Sequence, residues 1–426
     1  MRVLISGAGI AGPTLAWFRA QSGGHTTIVE KAPAILPHGQ NVDINGSAIT
    51  VIGKMGLLDE VRRLNTTEKG TQFIDPKGRP IAPFPVHQDS TLSPTSEYEI
   101  LRGDLAKILY EATKDLDNVE YRFGTTVTKI VSDDGDEAPV KVTLSTGEEQ
   151  EYDVVVAADG QWSNVRKQCF PKSAIGVFDT GMYGAYWTIP RLPQDNDWWN
   201  VYFALGRRTI SLRPDPHGTT RAFVSHLPDS GAEKQEWQAA SRGSRKQQEE
   251  LIKRKFADAG WQAPRLLDAM GKAEDYYFQA VQQIRMTKWS AGRVVCLGDA
   301  AHAPTPLTGM GTSLALQGAY VLAGELNKLE DDGQHPRTAL EAYEAKFRPF
   351  VDKIQKLPSF VPGIAHPRTK LRRWLIQTLI RAVSAVRLAS GSEQRDEGFP
   401  LPQYQSLDDI AAKNWSSRGS RHPTRA

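Results

Sequence analysis

Residues 1–12 read MRVLISGAGIAG, and this opening decides the fold. A short apolar run, Met1 to Ser6, stops at the turn Gly7-Ala8-Gly9-Ile10-Ala11-Gly12, and Leu15, Ala16 and Phe18 follow at helical spacing. Gly23-Gly24 punctuates the helix, and Thr26-Thr27-Ile28-Val29-Glu30 is a second strand closing on an acid. Strand, glycine turn, helix and parallel strand make a nucleotide-binding unit. The first glycine allows the tight turn, and the second lets a pyrophosphate approach the backbone. The third lets helix pack on strand, while the helix N-terminus attracts phosphate charge. Glu30, 18 residues beyond Gly12, stands where a carboxylate binds an adenosine ribose and would repel a 2′-phosphate. NADP is therefore excluded from this position. The fingerprint alone does not separate NAD from FAD.

Two later segments bear on that choice. Residues 154–160, VVVAADG, form a strand ending in an acid–glycine turn, with Ser163 and Arg166 beyond it. Residues 294–302, VVCLGDAAH, form another, leading through Pro304 and Pro306 to Gly309-Met310-Gly311 and a helix from Thr312. An aspartate at a strand's C-terminal edge can bind a polyol, and a glycine pair opening a helix offers backbone N–H groups and a positive dipole end.

Between these segments the pattern changes. Tyr183–Ile189, Trp198–Leu205, Thr209–Arg213 and Thr220–His226 are short aromatic and β-branched runs, which predict an inserted antiparallel sheet. Leu371 to Leu388 is amphipathic: Leu371, Trp374, Leu375, Thr378, Leu379, Ala382 and Val386 make one stripe, flanked by Arg372, Arg373 and Arg381. That stripe is expected to pack across the chain's own two domains, with peripheral membrane contact as the lesser alternative.

The predicted architecture is α/β: a Rossmann-like nucleotide-binding domain in three parts (1–70, 101–175 and 286–365), a substrate domain (71–100 and, as the β-sheet, 176–285), and a C-terminal helix and tail (366–426). The 426 residues suit two to three domains, and 40% hydrophobic with 24% charged residues is ordinary for a globular chain. The 52 basic and 49 acidic residues leave +3, too balanced for a nucleic-acid partner, and the basic tail (Lys413, Arg418, Arg421, Arg425) reads as a solvated terminus. Cys169 and Cys296 lack metal-ligand spacing, so no metal is expected and buried thiols in a reducing compartment are. No apolar run reaches about 18 residues, so no transmembrane segment is expected, and glycines interrupt the first run before a signal-peptide core forms. The cytoplasm is the default.

With GAGIAG and Glu30, ADGQWSNVR at 158–166 and GDAAHAPTPLTGMG at 298–311 in that order, and LRGDL at 101–105, a family emerges. The chain resembles the single-component FAD-dependent monooxygenases of the para-hydroxybenzoate hydroxylase-like group, nearest the tetracycline-inactivating and natural-product branch. The resemblance covers roughly residues 1–390. It implies bound FAD, with Gly7, Gly9, Ala11 and Gly12 at the pyrophosphate, Glu30 and Lys31 at the adenosine ribose, and Arg102 approaching the cofactor. It places Asp299 at the ribityl and pyrophosphate region, and Pro306, Gly309, Met310 and Gly311 along the isoalloxazine. Asp159 belongs to a doublet associated with both FAD and NAD(P)H use, and a turn residue holding the strand end is its other reading. Met310 and Ser313 depart from the Gln and Asn that the family often has there.

The implied reaction has NAD(P)H reduce FAD, O₂ add at flavin C4a, and the hydroperoxide transfer one oxygen atom to an aromatic or enolic, polycyclic substrate. Hydroxylation leads, with epoxidation, dearomatisation and Baeyer–Villiger insertion open to the same intermediate. No second glycine fingerprint occurs, so NADPH or NADH binds transiently. The inserted sheet offers Tyr186, Tyr202, Arg213 and His226 as substrate contacts, with Tyr186 and Trp187 on opposite faces. His302 reads equally as structural or catalytic, and no catalytic acid or base is assigned. GAYWTIP at 184–190 matches the flavin-halogenase tryptophan motif only in part, since Ala185 stands where another Trp belongs. The competing class is an FAD-dependent reductase or dehydrogenase without oxygen insertion. Expected partners are a small molecule and O₂, in a monomer or weak homo-oligomer.

Overall fold

A computed structural model describes residues 1–37, 39–86, 96–131, 138–332, 335–358, 360–390 and 398–407. The basic tail singled out above lies outside these residues. Short, mostly apolar strands rich in Val, Leu and Ile make the centre of a six-stranded sheet, as expected where both faces are buried. Its order is Ser290–Ala291, Val294–Cys296, Val154–Ala157, Arg2–Ser6, His25–Glu30, Val119–Phe123, and all neighbours are parallel except the first pair. Ser6 pairs with Ala157, Ala157 with Cys296, and Ser6 with Val29. Parallel register thus delivers the C-terminal ends of four strands, and the three sequence motifs that follow them, to one edge of the sheet. This is where ligands bind in open α/β sheets.

The second sheet has seven strands in the order Tyr277–Met286, Ile175–Pro190, Thr219–His226, Arg208–Pro214, Trp199–Ala204, Gly70–Ile74, Pro80–Pro85. It is mixed and not wholly antiparallel: Trp199–Ala204 runs parallel to Gly70–Ile74, a strand contributed from the distant N-terminal part of the chain. One face packs on the helices Gly231–Ser241, Arg245–Phe256 and Ala263–Met270, burying Trp187, Ile210, Leu212, Val224, Trp237, Leu266 and Met270. Ser230 caps the first of these helices, and Ser244 with Gln247 forms a capping box on the second. The opposite face looks toward the nucleotide-binding unit.

The expected packing of the C-terminal stripe is not what the structure has. Helix Lys370–Ser390 docks through its other side, where Ser384 Oγ donates to Pro83 O at 2.6 Å and Arg373 Nη1 to Phe203 O at 3.4 Å. Leu371, Trp374, Leu375, Leu379, Val383 and Val386 are left exposed.

Candidate functional site

Each of the three glycines in the first turn meets a different environment. Gly7 has φ +114°, and a Cβ there would stand 2.4 Å from Ala158 O, so the turn closes directly on the acid–glycine segment. A Cβ at Gly12 would stand 2.1 Å from Gly7 O, so only glycine lets the helix Ala11–Gln21 begin there. At Gly9 the one neighbour is the Arg102 guanidinium at 3.8 Å. The first and third glycines serve packing, and the second leaves its face open beside a cation and a helix N-terminus, a cradle for a pyrophosphate. Glu30 accepts hydrogen bonds from Ala8 N and Ala32 N, both at 2.9 Å, which fix its carboxylate at the strand end. Lys31 follows, exposed.

The second and third motifs are tied to each other by one residue. Buried Arg166 donates to Ala300 O and to Gln161 O, both at 2.7 Å, and burial lowers its pKa from the ordinary arginine value. Asp159 Oδ2 accepts from Asn164 N at 2.8 Å, holding the start of helix Asn164–Cys169. The turn role is therefore the one its contacts display. Asp299 opens helix Asp299–His302, stands exposed to the cleft, and approaches Gly311. Desolvation raises its carboxyl while Arg102 pulls it down. Beyond it, Thr305 takes φ +84° and ψ +150°, a region all but closed to a β-branched residue, at a cost of about 1–3 kcal/mol. Pro306 and Gly309 are exposed, and nothing lies within 4 Å of a Cβ at Gly309. Met310 N donates to Thr308 Oγ1 at 3.2 Å, and Gly311 begins the helix Gly311–Asp332. Ser313 Oγ accepts from Asn45 N at 2.9 Å, fastening the strand Asn41–Asp43 beside this loop.

Across the cleft stands the inner face of the seven-stranded sheet. Tyr186 stacks on Phe223 with ring centroids 4.4 Å apart. Arg213 makes a two-pronged pair with Glu68 (2.7 and 2.8 Å), a further bond to Glu99, and lies over the Trp199 ring at 4.0 Å. Asp43, opposite Glu99 in the strand pair Asn41–Asp43/Glu99–Leu101, accepts from Ser96 Oγ at 2.7 Å. One guanidinium thus serves three carboxyls. Desolvation pushes Glu68, Glu99 and Asp43 above the ordinary carboxylate range, Glu99 well above it, against the pull of Arg213. His217 Nε2 and Asp104 Oδ2, 2.8 Å apart, join this sheet to helix Arg102–Glu111.

Two of the four substrate contacts expected from sequence lie on the outer face, opposite Tyr186 and Arg213. Tyr202 packs among the outer helices against Trp261, and His226 stacks on Trp237 at 5.0 Å. Period-two alternation puts them with Trp187, away from Arg213 and Tyr186. His302 is buried in an aromatic nest of Trp289 and Phe347, and burial pushes its pKa down to about 3. Sequence reading missed Asp43, Glu68 and Glu99. Only Glu99 left a signal there, as an acid opening the short strand Glu99–Leu101.

An FAD binding domain family model matches residues 1–357. The flavin-dependent monooxygenase eupH of Phoma sp is 34% identical over 425 residues, covering 96% of this chain and 97% of that protein. Monooxygenase CTB7 of Cercospora beticola is 34% identical over 395 residues, covering 90% and 92%. Among solved structures, tetracycline destructase Tet(51) aligns with a TM-score of 0.74 at 27% identity, covering 95% of this chain and 99% of that one. HpxO of Klebsiella pneumoniae, complexed with FAD and uric acid, shares the fold with a TM-score of 0.69 at 21% identity, covering 96% of each. The open faces at Gly9 and Gly309, the two helix N-termini, and Glu30, Arg102 and Asp299 fit such a dinucleotide.

Proposed function

The chain belongs to the FAD-binding-domain family and is an FAD-dependent monooxygenase, and from that premise we propose that it uses NAD(P)H and O₂ to hydroxylate an aromatic or enolic ring of a polycyclic natural product. The observation that carries this reading is the inner wall: the stacked Tyr186–Phe223 pair beside Arg213. Such a wall suits a flat, electron-rich ring bearing an ionisable oxygen. A structural neighbour named for destroying tetracycline, a polycyclic enol, supports the same class.

FAD, when bound, supplies the electron relay and the oxygen chemistry. Gly7, Gly9, Ala11 and Gly12 would hold its pyrophosphate, Glu30 and Lys31 its adenosine ribose, and Arg102 and Asp299 its middle. The loop carrying Pro306, Gly309, Met310 and Gly311 would lie along its ring. Arg213 offers positive charge to a phenolate or enolate, which keeps the ring electron-rich toward an electrophilic oxygen. Glu99, whose carboxyl burial pushes well above the ordinary carboxylate value against the pull of Arg213, can exchange a proton with that substrate oxygen. Phe73, Phe203 and Trp199 on the same face keep water from the reacting ring. In sum NAD(P)H, a proton, O₂ and substrate become NAD(P)⁺, water and hydroxylated product. Both described thiols, Cys169 and Cys296, are free, which supports a reducing cytoplasm.

Turnover under ¹⁸O₂ with a panel of phenols and polycyclic enols tests this, with NAD(P)H oxidation and hydrogen peroxide followed together. One panel member should speed flavin reduction and take up a single labelled atom per NAD(P)H. Substrate reduced without label, or peroxide matching NAD(P)H with every compound, would overturn oxygen insertion.

A further inference from the structure

Among the described residues, the C-terminal helix carries an unpartnered apolar surface. Along Lys370–Ser390, Leu371 is 66% exposed, Trp374 57%, Leu375 53%, Leu379 66%, Val383 38% and Val386 65%, and just upstream Phe360 and Ile364 are also exposed. At helical spacing the helix's own apolar side chains fall on one side, with Arg372 on the Val383 edge of the stripe and Lys370 and Arg381 along the other. All three of these cations are exposed, and no acid occurs between Asp352 and Glu393. Among the described residues no helix is long and apolar enough to cross a membrane.

We propose that this helix lies in the headgroup boundary of an anionic lipid bilayer, with its leucine–tryptophan–valine side sunk toward the acyl chains. A helix with a bare apolar side, a basic rim and too little apolar length to span is built for that depth. The rim cations can carry their charge up to the lipid phosphates while their stems cover apolar surface. Charge selects this occupant over a second copy of the chain, because two such faces brought together would set arginine against arginine with no acid between them. Trp374 suits the same boundary, where one side of an indole is apolar and the other wet.

The position of the helix gives the contact a use. Its docked side rests on the edge strand Pro80–Pro85, and the segment leading into it crosses the inner face of the substrate sheet. There Thr209 Oγ1 donates to Ala365 O, Ser225 Oγ meets His366 Nε2 at 2.9 Å, and Arg207 N donates to Pro367 O at 3.1 Å. A bilayer held by this helix is therefore tied to the wall that carries Arg213 and Tyr186, and an apolar polycycle dissolved in lipid would reach the cleft without crossing bulk water. This delivery role rests on the substrate class proposed above. Bilayer binding does not, so either can fail alone.

The test is flotation of the full-length, FAD-loaded protein with phosphatidylcholine vesicles, with and without phosphatidylserine. Binding should favour the anionic vesicles by at least about tenfold and fall with added salt, since each basic residue near such a surface adds about 1 kcal/mol. The double variant Leu375→Asp/Leu379→Asp should stay in solution with flavin spectrum and Tm unchanged. Should that variant lose its flavin, Arg372→Gln/Arg381→Gln serves instead and should lose the anionic preference alone. Wild-type protein that stays in solution with anionic vesicles overturns the proposal. So does equal binding by the folded variants, and so does a dimer in solution that the aspartates dissolve.

Discussion

The two faces of the seven-stranded sheet are made from alternate residues of the same strands, yet they are held by opposite means. The outer face sets Tyr183, Trp187, Ile210, Leu212 and Val224 against three helices, and Trp187 Nε1 donates to Leu266 O at 3.2 Å. Its stabilisation is transfer of apolar surface, about 1.5–3 kcal/mol for each large side chain buried. The inner face carries Ser211, Arg213 and Phe223 in register with one another's neighbours, and its stability turns on one guanidinium among Asp43, Glu68 and Glu99. A buried charge cluster contributes little over apolar packing, but it is costly to break. The outer face therefore holds the sheet by apolar burial, and the inner face holds a balanced cluster of buried charge.

Breaking the inner balance should have the largest effect. Arg213→Met leaves buried carboxyls without their cation and should cost about 3–5 kcal/mol of stability. The three acids already have folded pKa values raised above their unfolded ones. Above the unfolded value near 4.5 the native state then holds more protons than the unfolded state, so stability falls as pH rises. Removing Arg213 raises them further, and urea unfolding should show a larger loss at pH 8 than at pH 5. Equal losses at both pH values would mean that the carboxyls are not coupled to Arg213.

The outer face should respond to pH with the opposite sign. Burial pushes His226 down to about 4 from 6.5, although Glu233 pulls it upward. Between those values the unfolded chain takes up a proton that the native chain refuses, so stability is complete above pH 6.5 and lost as pH falls toward 4. The full shift corresponds to about 3 kcal/mol for this histidine. His302 (about 3), in the nucleotide-binding unit, and His366 (about 4), against the inner face, add acid slope of the same sign, so a His226 variant and not the total slope isolates the outer face. His226→Phe, which keeps the stack on Trp237, should remove part of the acid slope and leave the rest. A Tm–pH profile identical to wild type between pH 6.5 and 4 would show that His226 is solvated.

The contrast also explains what could be read in advance. The nucleotide cradle was legible because its constraints are on backbone: Gly7 and Gly12 have no room for a Cβ, and three strand ends with fixed partners must meet at one edge. Alternation correctly divided Tyr186 from Trp187, but the phase of a strand is set by what it packs on. Tyr202 and His226 therefore stand on the outer, helix-packed side, while Tyr186 and Arg213 stand on the cleft side. Glu68 and Glu99 escaped because they reach Arg213 from 145 and 114 residues away, a distance that no local pattern encodes. The C-terminal stripe was plain in sequence, and its partner was misjudged: the helix turned the side carrying Arg373, Ile376, Gln377, Ile380 and Ser384 inward.

The smallest expected effect sharpens the comparison most, because it separates the faces by kinetics and not by stability. Tyr186→Phe keeps the ring on Phe223 and removes only a hydroxyl, so its stability cost should stay within about 1 kcal/mol. Burial raises that phenol while Arg213 and Gln279 oppose the rise, which places the hydroxyl within the field of the charged cluster. If it orients a substrate oxygen, the variant should raise KM several-fold and leave flavin reduction without substrate unchanged. Tyr202→Phe, the same change on the outer face beside Trp261, should leave both untouched. Equal kinetic effects from the two variants would mean that the cleft is not where the inner face places it. A change in KM at Tyr186 alone would fix the inner face as the surface on which substrate is read.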